Sequence, residues 1–286
     1  MSLQPSPIGA IKHQDVPTKT TNAGGTAFAY RELGPKAGVP VIFLTHLTAV
    51  LDNWDPRVVD GIAAKRHVVT FDNRGVGASP GKVPDTIEAM ARDAIAFIRA
   101  LGFNQVDLLG LSLGGFIAQK IVQLDPQLVR KIILAGTGPA GGSGIDKITQ
   151  VTIFDMVRAA LTFKDPKNYL FFTQTQNGKK AAGAFLQRLK ERTANRDKAI
   201  SLGAFYQQLK AVHAFGLERP TDLSRVLQPV LVVNGDQDRM VPTSNSIDMA
   251  RRFPNAELVL YEDGGHTAIF QYHEAFVKKA LDFLDA

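Results

Sequence analysis
The 286-residue chain contains no cysteine. That absence removes disulfides, thiolate nucleophiles and cysteine-ligated zinc in one step, and it suits a reducing compartment, so a cytoplasmic location is expected. No apolar run approaches the ~20 residues of a membrane-spanning helix, and Met1 to Gly9 lacks the basic-then-apolar pattern of a secretory leader. Neither a membrane nor a nucleic-acid partner is expected, since no nucleic-acid motif set occurs. Histidine is scarce, at six residues, and tryptophan occurs once, as Trp54.

The charge that is present is unevenly placed. The formal net charge is +6, and residues 140–220 hold thirteen Lys or Arg against six Asp or Glu. Those cations are spread along helical patterns rather than packed in a run, which reads as a solvated face, with a preference for acidic substrates as a secondary reading.

Short apolar runs alternate with helical patterns, the rhythm of an α/β fold with a mostly parallel sheet flanked by helices. Strands are expected at Thr26–Glu32, Val41–Thr45, His67–Phe71, Val106–Leu109, Lys131–Ala135, Pro229–Asn234 and Glu257–Tyr261. After the glycine-rich stretch Gly136–Gly144 the rhythm breaks. Helices are expected at Ile153–Phe163, Asn168–Phe172, Lys180–Arg192 and Ile200–Phe215. The expected organisation is a core domain made of residues 1–139 and 221–286, with a helical cap inserted at 140–220.

Gly110-Leu111-Ser112-Leu113-Gly114 lies between a strand and a helix. Small residues two before and two after a serine permit a sharp strand-to-helix turn that thrusts the hydroxyl outward at a helix N-terminus. A serine hydroxyl is a weak nucleophile near neutral pH and needs a base held by an acid. His266 follows Gly264-Gly265 just after a strand, where a loop can bring its imidazole over the sheet. The acid is expected from the loop after Pro229–Asn234, which carries Asp236 and Asp238.

Together these motifs resemble the α/β-hydrolase superfamily, in its serine hydrolase branch. The resemblance rests on Thr45-His46-Leu47-Thr48, Asp72-Asn73-Arg74-Gly75-Val76-Gly77-Ala78-Ser79, the Ser112 elbow, Gly235–Pro242 and Gly265-His266. It implies an ~8-stranded sheet, a catalytic triad of Ser112, His266 and Asp238, and no cofactor or metal. It also implies an oxyanion hole made of the Leu113 and Thr48 backbone N–H groups, although Leu47 stands where the family usually has glycine. Serine at the elbow implies acyl transfer from esters, thioesters, amides, lactones or activated C–C bonds. Relatives with aspartate there open alkyl–halogen or epoxide bonds.

Aromatic residues Phe154, Phe163, Tyr169, Phe171, Phe172, Phe185, Phe205, Tyr206 and Phe215 fall in the inserted helices. Most should pack those helices on the core. Leu47, Trp54, Phe154 and Phe172 are the expected substrate-binding residues of an apolar pocket for a small or medium acyl group. The leading expectation is a carboxylesterase-like enzyme acting on a small-molecule substrate, as a monomer or homodimer. A haloperoxidase-like perhydrolase using the same triad and a slow hydrolase-fold ligand receptor stand as alternatives.

Overall fold
A computed structural model describes residues 12–286; the reading of Met1 to Gly9 lies outside the described residues. The strands are β1 (Lys19–Ala23), β2 (Thr26–Leu33), β3 (Val41–Leu44), β4 (Val68–Phe71), β5 (Val106–Leu111), β6 (Val129–Ala135), β7 (Val230–Gly235) and β8 (Ala256–Tyr261). They form one sheet in the order β1-β2-β4-β3-β5-β6-β7-β8. The β1–β2 and β2–β4 pairs are antiparallel and every later pair is parallel.

The helices are α1 (Pro56–Ala63), α2 (Ile87–Ala100), α3 (Leu113–Leu124), α4 (Ile148–Leu161), α5 (Lys167–Leu170), α6 (Gln176–Arg188), α7 (Leu202–Gly216), α8 (Ser244–Arg252), α9 (Ala268–Gln271) and α10 (His273–Asp285). Their starts are chemically marked. Asp55 caps α1 through its carboxylate, with Pro56 at the first helical position, and Thr86, Thr175 and Ser201 cap α2, α6 and α7 through their hydroxyls.

Alternation along the central strands splits the core into two layers. Ile42, Leu44, Leu108, Ile132 and Val232 face one way, against Phe97 of α2 and Phe116 of α3. Val41, Phe43, Leu109, Ile133 and Val233 face the other way, against Val59 of α1 and Phe276 of α10. Both faces of the sheet are therefore covered, as the continuous apolar strand sequences require.

Between β6 and β7 the described chain forms α4 to α7 and no strand. This segment is tied to the sheet domain by specific polar bonds. The Arg188 guanidinium reaches the buried Asp55 carboxylate at 2.6 Å, and the Asp197 N–H donates to Asp52 at 2.7 Å. Asp197 also turns its carboxyl toward Asp72. Burial, together with that facing carboxyl, pushes Asp72 well above the usual carboxylate range.

Candidate active site
Ser112 stands between β5 and α3 with φ 54° and ψ −116°, a conformation outside the ordinary regions for an L-residue. Its surroundings enforce it. A side chain at Gly114 would overlap the Leu44 carbonyl, and one at Gly110 would overlap the Gly114 backbone. The Ser112 N–H donates to the Ala135 carbonyl at 2.9 Å, and the Thr137 hydroxyl donates to the Ser112 carbonyl at 2.9 Å. Backbone on both sides of the serine is thereby fixed to the end of β6.

The loop after β7 presents Asp238. One of its carboxylate oxygens accepts the Met240 and Val241 N–H groups at 2.8 and 3.0 Å. The other meets His266 Nδ1 at 2.9 Å. A carboxylate can only accept here, so Nδ1 carries a proton, and in the neutral ring Nε2 is the nitrogen with the free lone pair. Asp238 and His266 are both buried, and the Asp236 side chain is not part of this arrangement. His266 and Ser112 line the same cavity, of about 290 Å³.

That cavity is walled by Leu47, Leu113 and Phe116 from the sheet domain and by Ile148, Phe171 and Phe205 from the helical segment. His46 also borders it. Its Nδ1–H donates to the Leu47 carbonyl at 2.8 Å, and burial pushes its pKa down to about 3, so the ring is neutral. Phe171 lies between the two imidazoles, with ring centroids 5.0 Å from His46 and 6.2 Å from His266. The Thr267 N–H donates to the Phe171 carbonyl at 3.2 Å, joining this wall to the histidine loop.

Several sequence expectations are placed differently. Trp54 is buried within the core, edge-on to Phe43 at 4.9 Å and to Phe270 at 6.2 Å, and does not border the cavity. Its position beside Asp55 at the start of α1 turns it inward. Phe154 points to solvent from the outer face of α4. Phe172 packs on Phe185 at 5.6 Å and borders a second depression, on the far side of His266. Of the four residues expected to bind substrate, Leu47 alone lines the cavity with Ser112.

The loop after β3 also requires a correction. Thr48 has φ 67°, costly for a β-branched residue, and its N–H is already engaged, donating to the Gln208 side-chain oxygen at 2.8 Å. Among the described residues, the Leu47 and Leu113 N–H groups engage no acceptor. Gln208, fully buried on α7, was not singled out from the sequence. A lone glutamine on an apolar helix face carries no motif that would have marked it.

A family model described as alpha/beta hydrolase fold matches residues 39–271. The chain belongs to the α/β-hydrolase fold family. A Rhizobium rhizogenes relative provisionally named carbamate hydrolase RutD is 29% identical over 245 residues, covering 82% of this chain and 87% of its own length. A Mycobacterium tuberculosis relative provisionally named non-heme bromoperoxidase BpoC is 27% identical, covering 89% and 96%. The solved structure of an alpha/beta hydrolase fold protein from Chitinophaga pinensis superimposes with a TM-score of 0.91 at 38% identity, covering 96% of this chain and all of that one.

Proposed function
We propose that this α/β-hydrolase is a serine hydrolase of carboxylesterase type, acting by acyl transfer through Ser112, His266 and Asp238. The observation that carries the reading is the Asp238–His266 hydrogen bond beside a serine held at φ 54° on the wall of the same cavity. In this reading His266 Nε2 takes the proton as Ser112 Oγ attacks a carbonyl carbon. Asp238 keeps the imidazole in the tautomer that permits this and stabilises the imidazolium. The proton then passes to the leaving group, the acyl-enzyme forms, and water activated by His266 releases the acid.

The oxyanion hole in this reading is the pair of N–H groups of Leu113 and Leu47, in place of Leu113 and Thr48. Both are without acceptors among the described residues and both residues border the cavity, whereas the Thr48 N–H is taken. Leu113 opens α3, whose dipole adds positive potential where the oxyanion forms. The helical segment acts as a cap, and the apolar cavity between it and the sheet selects an ester with a small or medium apolar acyl part. Perhydrolysis is the second reading, supported by the relative named as a bromoperoxidase. It uses the same triad with hydrogen peroxide in place of water.

A fluorophosphonate probe tests the assignment. Native protein should form an adduct at Ser112, while Ser112→Ala and His266→Ala should not. Absence of labelling in the native protein, or equal labelling of all three, would overturn it. Halide oxidation in acetate with peroxide separates the second reading from the first.

A further inference from the structure
Helix α4 carries large apolar side chains on its outward face as well as its inward one. Its buried positions are Ile148, Thr152, Asp155 and Ala159, and the buried Asp155 carboxylate faces the Arg239 guanidinium at 3.5 Å. Its outward face carries Ile153, Phe154, Val157 and Leu161, all exposed. An ordinary surface helix presents a polar outward face instead. The apolar surface continues past the helix end to Phe163, which is 97% exposed and sits at φ 55°, a costly conformation for an aromatic residue. Scattered surface hydrophobes need no explanation, but a contiguous patch of this kind marks a contact surface.

Two features say what the surface contacts. The patch is continuous with the mouth of the cavity, because Met156 and Leu202 border the cavity and are 39% and 85% exposed. It is also flanked by cations that have no carboxylate partner among the described residues. Arg158 and Lys164 both lie against the Tyr169 ring, 4.2 and 5.8 Å from its centroid, and neither meets a carboxylate among the described residues. A two-fold contact between copies through this tip would bring four such cations together. An anionic lipid surface would instead neutralise them while taking up the aromatic and aliphatic side chains.

We propose that the α4 face and the Leu161–Phe163 tip dock on anionic lipid surfaces, turning the cavity mouth toward the apolar layer. No helix among the described residues is long and apolar enough to cross a membrane, so the contact is interfacial. It departs from the sequence expectation of no membrane partner. It does not depend on the triad, since docking involves no chemistry.

The test is co-sedimentation of the full-length protein with phosphatidylcholine vesicles, with and without phosphatidylglycerol. Binding should appear on the phosphatidylglycerol vesicles and fall as salt is raised. The double variant Leu161→Ser, Phe163→Ser should bind roughly tenfold or more weakly, with an unchanged melting temperature because both side chains are exposed. Arg158→Gln and Lys164→Gln should each weaken binding about fivefold on the anionic vesicles and leave the neutral ones unaffected. Absence of binding to either vesicle, or equal binding by all these proteins, would overturn the proposal. A concentration-dependent dimer abolished by Leu161→Ser, Phe163→Ser would also overturn it, by assigning the patch to a second copy.

Discussion

Replacing Gln208 with leucine removes the bond that holds the loop after β3 while nearly conserving side-chain volume. The Thr48 N–H loses its acceptor, and a buried unsatisfied donor costs about 1–3 kcal/mol. The substitution also deletes the Gln208 side-chain nitrogen, itself buried without a partner, which offsets a similar amount. The effect on folding stability should therefore be small, within about 1 kcal/mol. The effect on catalysis should not be. Thr48 at φ 67° carries about 1–3 kcal/mol of backbone strain, and without Gln208 the loop has reason to relax. Leu47 is its neighbour, so relaxation carries the Leu47 N–H away from the developing oxyanion. Full loss of one such donor costs about 3 kcal/mol of barrier, a factor of about 100 in kcat. We expect Gln208→Leu to lower kcat on a short-chain p-nitrophenyl ester by about 10- to 100-fold, with KM and the thermal midpoint nearly unchanged. A kcat within twofold of the native value would refute the role given to this bond. A collapse of the midpoint would show instead that Gln208 serves packing alone.

Asp238→Asn should preserve the fold but favour the wrong imidazole tautomer, lowering kcat by about 10⁴-fold with little change in KM; steady-state kinetics beside a melting curve would decide it. Trp54→Ala should cost about 3–5 kcal/mol in denaturant unfolding, because the ring is buried between Phe43 and Phe270. It should leave KM unchanged for the folded fraction, and a large rise in KM would return Trp54 to the pocket. Acid should destabilise the protein through His13 and His46, whose pKa values burial holds down to about 3 against 6.5 unfolded. Their contribution is complete above pH 6.5 and is lost as pH falls toward 3, at up to about 1.4 kcal/mol per pH unit for each. Unfolding midpoints measured from pH 7.5 to 5 should therefore fall, and should fall less steeply in His46→Asn; identical slopes would contradict the assignment.

The strands that were legible are those buried on both faces, such as Val41–Leu44 and Val230–Gly235, where apolar residues run without interruption. β1 was not legible, because Lys-Thr-Thr-Asn-Ala pairs along one edge only and stays largely exposed. α4 begins at Ile148, five residues before its expected start, since its outward hydrophobes gave no clean polar boundary. Ser112, Asp238 and His266 stood out because turn chemistry constrains the residues around them. The cavity wall did not, because the rotation of each helix decides which aromatics face inward. Phe205 and Phe171 turn toward the cavity while Phe154 turns away. The engagement of the Thr48 N–H, on which the proposed exchange of Thr48 for Leu47 rests, is set by a glutamine 160 positions away in sequence.

The helical segment leaves from β6 and returns into β7, two strands paired directly through Ala135 and Val233. The strands run parallel, so the chain leaves at the C-terminal end of β6 and re-enters at the opposite end of β7. The helical segment itself nevertheless closes on its own ends, the Gly141 N–H donating to the Phe215 carbonyl at 3.0 Å, and the sheet need not stretch or reorder to accept a different segment between them. Ser112 and His46 precede that junction and Asp238 and His266 follow it, yet strand pairing joins them independently of what lies between. Exchanging residues between β6 and β7 for the corresponding piece of a related chain amounts to fitting a new mould over an unchanged tool, provided the graft supplies its own acceptor for the Thr48 N–H.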